Sequence, residues 1–462
     1  MSTAKGMTGA ATPAIATKRE TYLKHLLTQA AAAADESNLG LKDLRDRAIA
    51  QVNQTSFPSG RDEEWRFTDL ADMLALPFER AIAQKRDSAT APSAAFFTHL
   101  TALENSFRLT TLNGLYALEL SIEGRFANAP ELPEGAVVAP LSALIAHPQY
   151  GQKVSKIITD RLAQVPGGSE VFTALNTAGF SDVMVIWLRA DQVIREPICI
   201  ARASTGKLIS HLRTLVIAER HSSCTLIESF EGDGEQPRCN NSVTEIILEE
   251  GANVDHIRLQ DEGAKTFHLA KTAVSQAANS RYSCTAIDLG AQLSRHHLEI
   301  YPTGPQTDTH LYGLSALQGR QLADTHSLVS LKHPNSTTTQ IQKNVVDDRA
   351  HAVFNGKVYV SQAAQSTNAS QLNRNLMLSS KARIDTKPEL DIVADNVKCA
   401  HGATVSQLQA DEVFYLQSRG ISADQAQRLL LYGFAMEIVE KVSVEPLRQI
   451  LSRRINQTMK YE

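Results

Sequence analysis

The stretch LGAQLSRHHLEIYPTGPQTDTHLYGLSALQG, Leu289 to Gly319, reads as short strands between hard breaks. The breaks are Leu289-Gly, Pro302-Thr-Gly-Pro and Gln318-Gly. The segments between them carry no helical period. Similar punctuation extends in both directions: Glu231-Gly-Asp-Gly, Glu250-Gly-Ala-Asn and Asp261-Glu-Gly upstream, His333-Pro-Asn and Asn355-Gly downstream. Breaks recur roughly every dozen or so residues, the spacing of short strands with turns. The segments are rich in Thr, Val, Ile, Leu and Tyr, which suit a pleated surface. Alternation shows in Thr244-Glu-Ile-Ile-Leu and Lys357-Val-Tyr-Val. A sandwich or propeller needs hairpins with tight Asn-Gly or Asp-Gly turns, and only Asn355-Gly and Asp233-Gly qualify. Long polar turns without intervening helices favour a parallel β-helix, in which each coil stacks on the last. No motif recurs at a fixed period.

Helical patterns flank this core. Lys18 to Asn53 places Tyr22, Leu23, Leu26 and Leu27 on one face, and Leu39, Leu41, Leu44, Ala48 and Val52 continue the period. Residues 1–17, rich in Ala, Thr and Gly, read as a disordered tail. Phe57-Pro-Ser-Gly-Arg breaks the helix, and an acidic, aromatic segment follows, Asp62-Glu-Glu-Trp-Arg-Phe-Thr-Asp-Leu. Its Trp65 and Phe67 read as docking residues, because large aromatics seldom stay exposed. The period becomes two from Phe107, with strands at Arg108 to Leu112 and Leu115 to Ser121 and a buried strand at Val183 to Leu188. A helix interrupts at Tyr150 to Val165.

The other seam is Asp385 to Gly420. Leu390, Ile392 and Val397 alternate with Asp391, Asp395 and Lys398 as a strand, and a helix closes at Gly420. Ser422-Ala-Asp-Gln425 then has capping-box spacing. The helix to about Lys441 is apolar over most of its circumference, which demands burial on most sides, in an intramolecular bundle or against a partner. A last helix starts at Ser443-Val-Glu-Pro446. The expected organisation is a tail at 1–17, an N-terminal helical domain at 18–104, a β-helix at 105–397 and a C-terminal helical domain at 398–462.

Composition narrows the function. The 462 residues carry a net charge of −4, so no basic field for nucleic acid or an anionic membrane is expected. No run approaches the roughly 18 apolar residues of a membrane helix. The five cysteines, Cys199, Cys224, Cys239, Cys284 and Cys399, are odd in number and far apart. This argues for a reducing compartment, read as the cytoplasm, and against a disulfide framework. Walker A, GxSxG, HExxH and GxGxxG motifs are all missing.

Between strand and helix at the second seam sits Cys399-Ala-His401-Gly402. On an extended backbone residues i and i+2 share a face, so a thiol and an imidazole stand together. These ligands suit iron and iron–sulfur chemistry. A buried Cys beside a His satisfied by backbone would produce the same pattern. Two ligands do not close a site, and no other thiol lies nearby in sequence. His296 and His297 are adjacent, hence on opposite faces; His310, His326 and His351 are scattered and read as structural or solvated.

The block Lys387-Pro-Glu-Leu-Asp-Ile-Val-Ala-Asp-Asn-Val-Lys-Cys-Ala-His-Gly-Ala-Thr-Val, with Phe414-Tyr-Leu-Gln-Ser-Arg-Gly-Ile and Ala426 to Glu437, resembles the SufB/SufD family of the SUF iron–sulfur cluster assembly system, on its SufD side. Arg61 to Leu70 resembles that family's N-terminal signature. SufB would carry a Cys in an Arg-Asn-Asn-Ser context, where this chain has CAHGAT. The resemblance implies a right-handed parallel β-helix between two helical regions. It implies a non-enzymatic scaffold that pairs with SufB through the β-helix and docks SufC, an ABC-type ATPase that performs the hydrolysis. His401 would be a ligand of a nascent cluster shared with SufB, with Cys399 a second ligand or an interface residue. Leu430, Phe434, Met436 and Ile438 would meet SufC. The resemblance leaves open a homodimer of the isolated chain and a reduced flavin, for which the chain has no motif. The rival class is a β-helix carbohydrate-active or carbohydrate-binding protein. That class predicts a secretion signal and an aromatic-lined groove, whereas aromatics are 6% of residues.

Overall fold

The computed structural model describes residues 13–35, 39–80, 103, 105–117, 134–147, 151–168, 170–232, 234 and 236–458. The expected tail up to residue 12, the end of the strand expected at Leu115 to Ser121, and Asp233 lie outside the described residues.

The core is a parallel β-helix of about eight coils. Two long sheets face each other. The first runs from Ala136–Pro140 through Met184–Leu188, Leu208–Ala218, Arg238–Leu248, Thr266–Gln276, Leu293–Pro302, Leu322–Leu331 and His351–Val360 to Arg383–Ile392. The second runs from Phe107–Leu112 through Ile198–Ser204, Ser223–Gly232, Asn253–Asp261, Arg281–Asp288, Asp308–Leu317, Thr337–Val346 and Asn368–Met377 to Lys398–Ser406. Each strand pairs in parallel with the strand one coil away, apart from short antiparallel pairs at the first end.

The repeat is conformational. Asp191, His221, Gly251, Asn279, Gln306, Asn335 and Ser366 all have positive φ. Each donates its backbone N–H to a carbonyl one coil further on: Arg220, Glu250, Ala278, Pro305, Pro334, Gln365 and Asn396 in turn. Their separations vary between 27 and 31 residues from His221 to Ser366, so no fixed-period motif forms. Asn355-Gly is not one of the turns. It lies inside the strand His351–Val360, where Gly356 makes room for a neighbour rather than a bend.

The inside of the β-helix is divided. Ile198, Leu226, Val254, Tyr282 and Leu311 line one side with Val216, Val274, Ile300 and Val358. The other side holds buried charge. Glu228 accepts from Thr214 Oγ1 at 2.7 Å and Thr244 Oγ1 at 2.8 Å, and lies 3.5 Å from Arg202 and 3.2 Å from His256. Buried charges persist only when paired and hydrogen-bonded in this way.

Helices cover both outer faces. Helix α1 (Pro13–Asp35) begins inside the segment expected as a tail. It packs with α2 (Lys42–Gln54) and the later helix Val171–Gly179 over the first sheet, through Leu26, Ala30, Val52, Phe172 and Leu175 against Ile209, Phe267 and Leu293. The chain crosses the second seam as strand up to Ser406, further than the sequence suggests. Helices α3 (Ala410–Ser418), α4 (Ala423–Val439) and α5 (Glu445–Thr458), counted here after the two N-terminal ones, follow. The capping box forms: Gln425 N–H donates to Ser422 Oγ, and the Gln425 side chain accepts from Ser422 N–H. Leu431, Ala435, Ile438 and Val439 of α4 and Leu447, Leu451 and Ile455 of α5 bury against Ile257, Leu259, Ile287 and Leu314 of the second sheet. The apolar C-terminal helix is thus buried against the β-helix rather than in a separate bundle. No helix among the described residues is long and apolar enough to cross a membrane.

Candidate functional site

The second seam forms the last coil. Its two strands, Arg383–Ile392 and Lys398–Ser406, are hydrogen-bonded on one side only. In register, Ala369, Gln371, Asn373 and Asn375 lie beneath Cys399, His401, Ala403 and Val405. The lower four are buried and face the interior. The upper four share that inward face, yet His401 and Val405 are exposed, because no further coil among the described residues covers them. Ile384, Thr386, Pro388, Leu390 and Ile392 occupy the equivalent face of the first sheet, above Ala352, Phe354, Gly356, Val358 and Val360. The open end is therefore a core surface without its next layer.

Cys399 is half-buried and packs on the interior apolar cluster. Burial pushes its thiol pKa up, opposed by a backbone hydrogen bond from Ala369. His401, two residues further on, is exposed. Among the described residues no group of three or more His, Cys, Asp or Glu could hold a metal ion. A cluster bound here would be cargo, and it would need ligands from outside this chain. Soft thiolate and imidazole donors fit such a cargo, and an inward face without its next layer gives it a place.

Among the described residues, the buried polar atoms without a partner near this end include Gln371 Oε1 and Thr386 Oγ1. Sequence reasoning missed Gln371, because a Gln in a strand gives no chemical signal until the register places it under His401.

The outer surface of the first sheet carries the Arg61 to Leu70 segment as a strap. Trp65 is buried against Phe172, with ring centroids 5.5 Å apart, and the Arg295 guanidinium lies 4.0 Å over its ring. Thr68 and Arg295 both donate to Asp324. Glu64 lies 3.1 Å from His326 Nδ1, and His326 Nε2 lies 3.0 Å from Asp324. Lys387, beside Pro388 of the last coil, donates to Glu63 at 2.6 Å. The docking role expected for Trp65 is thus reached, and the strap extends to the candidate site. His326, His351 and His310 all sit beside carboxylates, His351 at 2.8 Å from Asp385 and His310 at 2.9 Å from Asp308.

The expected partner-contact residues differ in exposure. Ile438 is fully buried against the second sheet, so it has no surface to offer a partner. Phe434 and Met436 are partly buried on the same cluster. Buried Lys343 bonds the Phe434 carbonyl at 2.8 Å, pairs with Glu437, and lies 4.3 Å from the centre of the Phe434 ring. Leu430 is half-buried. The apolar side chains that do face outward are Phe414 and Tyr415 of α3, 70% and 58% exposed, and Leu429 of α4, 50% exposed. Helix α3 buries none of its residues.

Residues 200–434 match the SufBD core domain of SUF-system FeS cluster assembly, and residues 16–200 match the SufBD protein N-terminal region. The chain is similar to an iron-sulfur cluster assembly SufBD family protein of Synechocystis, 41% identical over 443 residues, 94% of each chain. It is similar to the chloroplastic protein ABCI7 of Arabidopsis thaliana, 30% identical over 92% of this chain and 88% of the relative. To the iron-sulfur cluster assembly protein SufD of Escherichia coli it is 26% identical, over 89% of this chain and 91% of the relative. Both regions match in chain order and a 41% identical relative spans nearly the full length: the chain belongs to the SufBD family of SUF-system iron–sulfur cluster assembly proteins.

Proposed function

We propose that the protein is a non-enzymatic scaffold subunit, of the SufD kind, on which an iron–sulfur cluster is assembled. His401 contributes one ligand to the nascent cluster, and a SufB-type paralogue seated on the last coil contributes the thiolate. Cys399 stands beside it as a second ligand or as part of the interface. The observation that carries this reading is the uncovered inward face of the last coil, which presents His401 and Cys399 without a complete ligand set. Two unpaired strand edges flank that face. Edges of this kind template pairing with another chain, which suits a second β-helix better than a small ligand. A second copy of this chain could occupy the same place when the partner is missing.

The C-terminal region, 398–462 in the proposed division, docks a SufC-type ATPase. Phe414, Tyr415, Leu429 and Leu430 form the contact, with Phe434 and Met436 beneath them. Since α4 and α5 are packed on the second sheet, movement of the ATPase would be passed directly to the β-helix. The five free cysteines agree with work in a reducing compartment.

The test is His401→Ala, co-expressed with SufB and SufC. Because His401 is exposed, the variant should fold and assemble normally, yet yield no cluster by absorbance and iron content. Normal cluster yield in an intact complex refutes the ligand role.

A further inference from the structure

Hydrogen bonds inside the last coils form a ladder that climbs toward the open end. Ser327 Oγ and the Gln340 amide bond each other at 2.8 and 3.1 Å. Gln340 Oε1 accepts from Gln371 Nε2 at 2.9 Å. There the ladder stops. Gln371 is 2% exposed, and its Oε1 is buried with no donor. Leaving such a carbonyl unpaired costs about 1–3 kcal/mol.

The Gln371 amide is fixed in place. Gly356 faces it across the interior, and a Cβ there would collide with Nε2 and lie 2.6 Å from Phe354 Cζ. With its nitrogen committed to the coil below, the oxygen remains for the coil above. The residue in register above is His401, on the same inward face. Adjacent strands lie about 4.8 Å apart, so the amide and the imidazole are neighbours. A neutral imidazole offers one N–H and one lone pair.

We propose that Gln371 is the positioning residue for His401: its Oε1 accepts the imidazole N–H, sets the tautomer, and leaves the lone pair of the other ring nitrogen turned outward. The proposal rests on the reading of His401 as a cluster ligand. Histidines that bind metals characteristically donate their second nitrogen in this way, which fixes the ring and strengthens the ligand. Here the acceptor belongs to the preceding coil, so the ligand would be oriented before any partner arrives.

The experiment uses the full chain with 15N-labelled histidine, at about pH 8, above the ordinary imidazole range. A ring N–H open to water exchanges too fast to be seen; one bonded to a buried acceptor gives a 1H–15N signal. The wild type should show one ring N–H signal that His401→Ala removes. Gln371→Leu should lose it, Gln371→Glu should keep it, and Thr386→Val should leave it unchanged. Signals of buried His256, held by Tyr282 at 3.0 Å, report the fold of each variant. Gln371→Met serves if the Leu variant fails to fold. No His401-dependent signal in the wild type, or its survival in a folded Gln371→Leu or Gln371→Met protein, overturns the proposal. Cluster yield with SufB and SufC should fall about tenfold in Gln371→Leu and be rescued by Gln371→Glu. If His401→Ala still builds clusters while the wild type shows the N–H signal, the ligand reading fails and the hydrogen bond stands.

Discussion

Val405→Asp tests whether the open end is a pairing surface. Val405 lies on the inward face of the last coil, over buried Asn375, and is 50% exposed. Full burial of a valine is worth about 2 kcal/mol, so the isolated chain already gains roughly half, and the substitution costs its folding about 1 kcal/mol. Pairing with a second β-helix would bury the other half. The variant would then forfeit about 1 kcal/mol of that gain, and seating a carboxylate in the interface costs about 2 kcal/mol more. A loss of about 3 kcal/mol weakens association roughly a hundredfold. The assay is the dissociation constant for SufB by sedimentation or calorimetry, with the melting temperature of each isolated chain as control. Val193→Asp is the matched control, since Val193 is equally uncovered (58% exposed) but lies near the other end. Unchanged affinity in Val405→Asp, or an equal loss in Val193→Asp, refutes the assignment of the last coil as the pairing face.

Three further outcomes are expected. Phe414→Asp with Tyr415→Asp should abolish capture of SufC and leave the melting temperature within about a degree, since α3 buries no residue; retained capture by pull-down would refute the α3 contact. Gly356→Ala should cost about 1–3 kcal/mol in denaturant unfolding, because the added methyl displaces the Gln371 amide; a neutral change would mean that the amide has room to move. Stability should fall as pH rises through about 9: burial alone would lower the His256 pKa, but Cys284 and Glu228 hold it up at about 9, so its contribution is full below about 6.5 and lost above the folded value. His211, held down at about 4 by burial, acts in the opposite sense and withdraws stability as pH drops from about 6.5. A melting temperature that is flat from pH 6.5 to 9.5, and that does not change its slope in His256→Gln, would refute the account of the buried pair.

The β-helix was legible because its turns are. Glycines, prolines and asparagines mark the half-coils, and the absence of helical period between them excludes crossover helices. The regularity was hidden because the repeat lies in φ: His221, Gln306 and Ser366 do the same work as Gly251, and no residue type announces it. Asn355-Gly misled for a related reason, since glycine serves a close side-chain approach as readily as a turn. At the site, the i, i+2 rule placed Cys399 and His401 on one face. It did not say that the face is an interior one left uncovered; that depends on where stacking ends. The C-terminal helix reads as needing burial on most sides; the structure buries the face of Leu431, Ala435, Ile438 and Val439 and leaves Leu429 half exposed. Its cover is the second sheet, whose strands are over a hundred residues earlier for Ile257, Leu259 and Ile287, beyond the reach of a periodicity argument. Helix α3 carries too few apolar positions on any one face to reveal which of them stay outside.

The strap has a consequence in time. Glu63 and Lys387 are 324 residues apart; Trp65 packs on Phe172 and completes its seat at Arg295, and Glu64 and Thr68 find their partners at His326 and Asp324. At about 5–20 residues per second, the ribosome needs roughly 16 to 65 s between making Glu63 and making Lys387. For most of that interval, until Arg295 is made, the tryptophan lacks its full seat. The segment is among the first to be synthesised and can only be among the last to be placed, so its docking can register that the coils beneath it, through to the one bearing His401, have formed.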